Sequence, residues 1–254
     1  MKDKIKLNIR GGGGIFSKIM LAIQNIAKFE YELKNCYLNI ADNRALSPEG
    51  ISPLDSIIDQ TYDDRYASVD CKLLGTYNNR NRVEKSIEYE KLKHIASQLK
   101  YKSELSVLVD DYVHLLGIKD KTIGVHVRLC DMNIIHGADY GVLTFNNYLE
   151  AIQEELKSNN ANIFVACDNE ESILKLKVIF GDRISYVPNL IRAKTETEDS
   201  FTLQLDNFRS TKFWQEAFLE MLLLSKCSTL ICRTSNVANM AIISSNNIKK
   251  ITML

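Results

Sequence analysis

Only three prolines and a single tryptophan occur among 254 residues, no Cys-x-x-Cys pair is present, and neither sign of charge is in excess. Each shortage removes a class of function. Lys plus Arg equals Asp plus Glu, at 32 each, so no global field draws the chain to nucleic acid or an anionic membrane. Any anion must be gripped locally. A basic patch with interleaved aromatics, the footprint of a nucleic-acid binder, is missing. No apolar run approaches the roughly 20 residues of a transmembrane helix. The greasiest, FLEMLLL at 218–224, is short and carries Glu220. The start, MKDKIKLNIR, has charges but no apolar stretch and does not read as a secretory signal. Six cysteines (36, 71, 130, 167, 227 and 232) are scattered through strand-like and helix-like runs, with no histidine at metal spacing. They read as small buried apolar residues in a reducing compartment. The expected location is the cytoplasm, with peripheral attachment to an inner membrane allowed, and no metal site is expected.

What is present is an alternation of strands and helices. IKLNI (5–9) reads as a strand, IFSKIMLAIQNIAKF (15–29) has apolar residues at helical spacing, and CYLNIA (36–41) is a second strand. Residues 42–82 are polar and give no clear pattern beyond a helical turn or two in SPLDSIID. Residues 83–118 are mostly helical. A new start follows: strands at 122–128, 162–168, 184–188, 228–233 and 249–254 alternate with helices at 144–159, 170–180, 210–226 and 235–244. The pattern predicts parallel sheets with helices on both faces, in two α/β units split near residue 119. The first unit spans residues 1–119 and the second residues 120–254. Ligands in such folds sit at the carboxyl ends of strands.

Four segments occupy such ends. The first is NIRGGGGIFSK. The dinucleotide fingerprint needs a third glycine for helix packing, but Ser17 follows Gly12-x-Gly14 and Phe16 follows Gly11-x-Gly13. Asp42 comes later than the usual spacing of about 20 residues, and Gly-Lys-Ser/Thr is absent. Gly12, Gly13 and Gly14 are either a flexible strand-to-helix turn or a loop where backbone approaches a ligand. The second is GVHVRLCD, where His126 and Arg128 share a strand face. Arg128 offers a planar fork matched to phosphate oxygens, or else pairs with Asp131. The third is ACDNEE, where Asp168 or Asn169 caps the next helix or contacts a ligand; Asp168 and Glu170 lack a further carboxylate for a metal. The fourth is CRTSNVANMA, where Thr234, Ser235 and Asn236 open a helix whose free N–H groups suit an anion, with Arg233 adding charge. Arginine, carboxylate and a Ser/Asn helix start at three strand ends of one unit suit a nucleotide diphosphate.

HVRLCDMNIIHGADY, VACDNE and FLEMLLLSKCSTLICRTSNVANMA resemble, in that order, the three short motifs of GDP-fucose-dependent fucosyltransferases of GT-B fold. The α-1,6 enzymes, nodulation fucosyltransferases among them, are most alike; the α-1,2 and protein O-fucosyltransferases are relatives. The resemblance runs from Thr122 to Ala241. It implies two Rossmann-like parallel-sheet units facing a cleft, the small N-terminal one (1–119) on the acceptor side and the second (120–254) binding the nucleotide sugar. It also implies a metal-independent glycosyltransferase that takes GDP-fucose as donor substrate, needs no cofactor, and acts on a glycan or lipid-linked oligosaccharide in polysaccharide biosynthesis. Carried over by position, His126 lies on the guanine side, Arg128 grips the β-phosphate, and Cys167, Asp168 and Asn169 fall on the second motif. Glu220 contacts the nucleoside, and Thr234, Ser235 and Asn236 face the diphosphate. The sequence departs from the α-1,6 pattern at Leu129, where a second arginine is usual, and at Met132, where lysine is. The family's catalytic base aligns with His136, and Asp131 and Asp139 compete for that role. Nucleotide binding therefore transfers further than acceptor chemistry. A different nucleotide-sugar enzyme on the same architecture and a nucleotide-binding relative without activity stand as the alternatives.

Overall fold

A computed structural model describes residues 4–10, 14–40, 52–60, 67–71, 87–130, 141–158, 160–198 and 210–254. The chain divides into two compact units, Met1–Val107 with Phe208–Gln215, and Leu108–Asn207 with Glu216–Leu254. The first boundary falls earlier than the split near residue 119 that the pattern predicts.

In the first unit, β1 (Ile5–Ile9) lies between β2 (Cys36–Ile40) and β3 (Ala67–Asp70), all parallel. Helix α1 (Ile15–Phe29) connects β1 to β2 and buries a wide face, including Ile15, Ile19, Ile23 and Ile26. β1, β2 and α1 lie where their apolar spacing predicts them. β3, ASVD, is mostly exposed, so nothing in its composition marks it as a strand. It forms because the β1 edge supplies a ladder, Ile5 through Asn8 pairing with Ala67 through Asp70. SPLDSIID contains one 3₁₀ turn, Pro53–Ser56, capped by Ser52. The helical stretch resolves into α2 (Ile87–Ser97) and α3 (Ser103–Leu115). Between them Tyr101 forms an antiparallel bridge with Ile58, which interrupts the helix.

The second unit carries a five-stranded parallel sheet, ordered β6-β5-β4-β7-β8. Its strands are β4 (Ile123–Val127), β5 (Ile163–Cys167), β6 (Ile184–Ser185), β7 (Thr229–Cys232) and β8 (Lys250–Met253). The intervening helices are α4 (Phe145–Ser158), α5 (Glu170–Phe180), α6 (Thr211–Ser225, whose first residues, to Gln215, count with the first unit) and α7 (Asn236–Ile243). Every residue of β4, β5 and β7 is buried, as expected for strands covered on both faces. On one face Ile123, Val125 and Val127 pack with Tyr148 and Ile152 of α4 and with Ile173 and Leu176 of α5. The other face has Gly124 against Leu224 and Cys227 at the end of α6. β6 is two residues long, shorter than the predicted 184–188. It is an edge strand that pairs only Ile163 with Ile184 and Phe164 with Ser185, and Pro188, without an N–H, cannot serve as the expected last ladder residue. All six cysteines are free, and five are buried. Among the described residues no helix is long and apolar enough to cross a membrane.

Candidate functional site

From β4 the chain runs outward to β5 and β6, then returns to the other flank of β4 as β7 and β8. The carboxyl ends of β4 and β7 therefore form a topological switch point, the usual ligand crevice of an open α/β sheet. The first and last motifs end there. His126, in β4, pairs in register with Cys232 of β7. Ser235 is the N-cap of α7, accepting from Ala238 N–H at 3.1 Å. Its Oγ lies 3.2 Å from His126 Nδ1, joining residues 109 apart in the chain. With the imidazole proton on Nε2, Ser235 donates to Nδ1 while accepting from Ala238, and its hydroxyl is used in both senses.

The electrostatics at this point are positive. His126 is buried, and burial first, then the charges of Arg128 and Arg233, push its pKa down to about 3. It is a neutral imidazole at physiological pH. Two guanidiniums and the N-terminus of α7 leave the strand ends suited to an anion. Thr234 and Ser235 are half-buried and Asn236 is exposed.

The backbone that carries Arg128 is held by side chains from elsewhere. Its N–H donates to Tyr148 Oη at 3.2 Å, and its carbonyl accepts from Arg233 Nη1 at 3.5 Å. Arg233 is only 2% exposed and also donates through Nη2 to the Gly141 carbonyl, at 3.2 Å. Burial raises the Tyr148 phenol well above its ordinary value, so it stays protonated. Asp168 Oδ2 accepts from the N–H groups of both Leu129 and Cys130 at 3.1 Å, and Oδ1 accepts from Asn169 Nδ2 at 2.9 Å.

Asn169 has a different task. It is fully buried, and its Oδ1 caps α5 by accepting from Ser172 N–H at 2.8 Å. Of the two candidates for that cap, the structure selects Asn169. Glu220 is largely buried and ion-paired with Arg192, which also donates through Nε to the Cys167 carbonyl at 3.0 Å. Burial raises the Glu220 pKa, while the Arg192 charge and hydrogen bond pull it back down. Arg192 carries no motif that points to it; its partners lie 25 and 28 residues away in sequence. Tyr148 likewise reads as ordinary helix core, with nothing to distinguish its hydroxyl.

Gly14 is the N-cap of α1, in extended backbone, and a Cβ placed there would meet nothing within 4 Å. No close packing within the described residues demands a glycine at 14. Gly11, Gly12, Gly13, Asp131, His136 and Asp139 lie outside the described residues. Among the described residues no three His, Cys, Asp or Glu side chains are grouped to hold a metal.

Two parallel-sheet α/β units, the larger with polar and cationic groups at its switch point, define a GT-B-like fold of Rossmann-like units. No protein-family model matches the sequence, and no curated protein does. Solved structures do match. Fucosyltransferase NodZ from Bradyrhizobium is 15% identical with a TM-score of 0.59, over 99% of this chain and 95% of that one. NodZ alpha-1,6-fucosyltransferase co-crystallised with GDP is 14% identical with a TM-score of 0.56, over 96% and 93%. The apo form of POFUT1 is 9% identical with a TM-score of 0.55, over 100% and 98%. The chain has the fold of these proteins.

Proposed function

We propose that this chain is a glycosyltransferase that moves L-fucose from GDP-fucose to a hydroxyl of a glycan or lipid-linked oligosaccharide, with inversion. The observation that carries the reading is the junction of His126 with Ser235 at the switch point, flanked by Arg128 and Arg233. It gathers cationic and N–H donor groups where a diphosphate can be received. Similar folds that were crystallised with GDP or soaked with GDP-fucose support the choice of donor.

In this mechanism the acceptor oxygen attacks the anomeric carbon from the face opposite the diphosphate. The C–O bond to GDP breaks through an oxocarbenium-like transition state, and negative charge grows on the leaving phosphate. Arg128 and the first N–H groups of α7 stabilise that charge, so a metal ion is not required. The acceptor proton passes to His136, whose ordinary pKa of about 6.5 suits a base near neutrality, with Asp131 as the rival. The reaction would serve cytoplasmic assembly of a polysaccharide.

The test is transfer from GDP-fucose to a panel of oligosaccharides. Arg128→Ala should lower kcat by about 10²–10³-fold, the usual effect of removing one charge-stabilising donor. Full activity in that variant, in a folded protein, would sink the assignment. A second reading, a different nucleotide-sugar donor, is favoured by Glu220, whose carboxylate is engaged by Arg192 rather than left open for a nucleoside. Thermal shifts with GDP, UDP and ADP separate the two, since only a ligand bound by the folded state raises its stability.

A further inference from the structure

The carboxylate of Asp168 stands at the end of β5, beside the place where the proposed reaction needs positive charge. A carboxylate free to approach a diphosphate would repel it. Here the group is turned to the backbone of the neighbouring strand end. One oxygen accepts from two successive N–H groups, Leu129 and Cys130, and the other accepts from the Asn169 amide. Those two N–H groups immediately follow Arg128 and lie past the end of β4, where the ladder no longer supplies acceptors. Tyr148 takes the N–H of Arg128 itself, and Arg233 reaches its carbonyl. Cys130 Sγ adds a contact to the Thr195 carbonyl at 3.5 Å. The backbone from Arg128 to Cys130 is thus held from α4, from the end of β5, from the segment after β6 and from the end of β7.

We infer that Asp168 is a positioning residue for Arg128, acting through the backbone of Leu129 and Cys130 rather than touching the nucleotide. Tyr148 is its counterpart on the other side of the same residue. The geometry explains why a carboxylate is useful here. A single carboxylate oxygen has lone pairs for two N–H donors, and the second oxygen can still meet an amide. Asparagine at 168 could serve only one of these needs well. With its oxygen toward Leu129 and Cys130, its NH₂ would face the Asn169 Nδ2 group. Asn169 cannot turn to relieve that clash without releasing its cap on Ser172. The predicted order is therefore aspartate, then asparagine, then alanine.

The inference rests on the proposed transfer reaction for its kinetic arm and on nothing but the fold for its exchange arm. In the ligand-free protein, hydrogen exchange at the Leu129 and Cys130 amides should quicken about tenfold in Asp168→Ala and less in Asp168→Asn. In transfer assays Asp168→Ala should lower kcat by about 10²-fold with a small change in KM, because a displaced Arg128 fails mainly in the transition state. Tyr148→Phe, which removes only an oxygen, should fall in the same direction and keeps the test open if Asp168→Ala does not fold. The double variant Arg128→Ala with Asp168→Asn should be no worse than Arg128→Ala alone, since both act through one guanidinium. Independent, additive losses, or unchanged amide protection in Asp168→Ala, would overturn the positioning role. Absence of transfer in the unaltered chain would instead refute the proposed reaction and leave the exchange result to decide the role of Asp168.

Discussion

Replacing Arg192 by methionine should unfold the second unit about as readily as a large core truncation. Arg192 and Glu220 are 4% and 15% exposed at their side chains, so the pair is largely out of water. Removing one partner leaves the other buried and uncompensated, at a cost of about 3–5 kcal/mol. Losing the Nε–H bond to the Cys167 carbonyl contributes part of that figure, about 1 kcal/mol. For a domain of this size, about 2–4 °C of Tm is lost per kcal/mol, so a 4 kcal/mol deficit is about 8–16 °C. The deficit should depend on pH in a definite direction. Burial raises the Glu220 pKa, and Arg192 opposes that rise. Without Arg192 the folded-state pKa climbs further above the unfolded one. The folded chain then holds a proton that the unfolded chain releases, and stability falls as pH rises through that window. The variant should accordingly recover toward the parent as pH drops toward the ordinary carboxylate value near 4.5. Calorimetry of both proteins from pH 7 to pH 4.5 reads this directly. Pairing Arg192→Met with Glu220→Met should return most of the loss, since two apolar groups need no partner. A single variant within about 1 kcal/mol of the parent, or a deficit independent of pH, refutes the argument.

The remaining predictions are smaller. His126, with its pKa near 3, should stay neutral from pH 8 to pH 5, so the pH dependence of kcat should show no inflection from it. An NMR titration checks this, and an imidazole titrating near 6.5 would contradict the burial and the charges around it. Because His126 is depressed in the folded state, its contribution to stability is present above pH 6.5 and should fade on acidification, by about 2–3 kcal/mol between pH 6 and pH 4. Gly124→Ala would bring a Cβ to 3.0 Å from Cys227 Sγ and 3.2 Å from Leu224 Cδ2. Urea denaturation should show a loss of about 1–3 kcal/mol, partly restored by Cys227→Ala. Retention of full stability would mean that the end of α6 gives way more easily than a packed core should.

The regular elements were legible wherever one physical signal dominated. α1 and β1 occupy their expected residues because apolar spacing alone specifies them, and β4, β5 and β7 differ from expectation only by terminal residues. Failures came where a neighbour decides. β3 exists through the free edge of β1, and β6, an edge strand, pairs over only two residues. The same division holds at the site. His126 and Ser235 are brought together by the fold, and each carries a local signal in the sequence, one at a strand end and the other at a helix start. Arg192 was not, because its importance comes wholly from Glu220 and the Cys167 carbonyl, both remote in sequence. Asp168 and Asn169 are adjacent carriers of similar groups, so only the fold could assign the cap to one and the strand-end backbone to the other.

The 109-residue span between His126 and Ser235 also bears on how the protein is made. β4 can pair with β5 soon after both are synthesised, but β7 and the start of α7 emerge much later from the ribosome. Until then the nascent chain has His126 without Ser235, the N-cap of α7 that meets it in the folded sheet. On the proposed function, a nucleotide would find both sides of its site only after β7 and the start of α7 have been made. Ligand rescue of a destabilised variant should therefore begin only once β7 and the start of α7 have emerged from the ribosome.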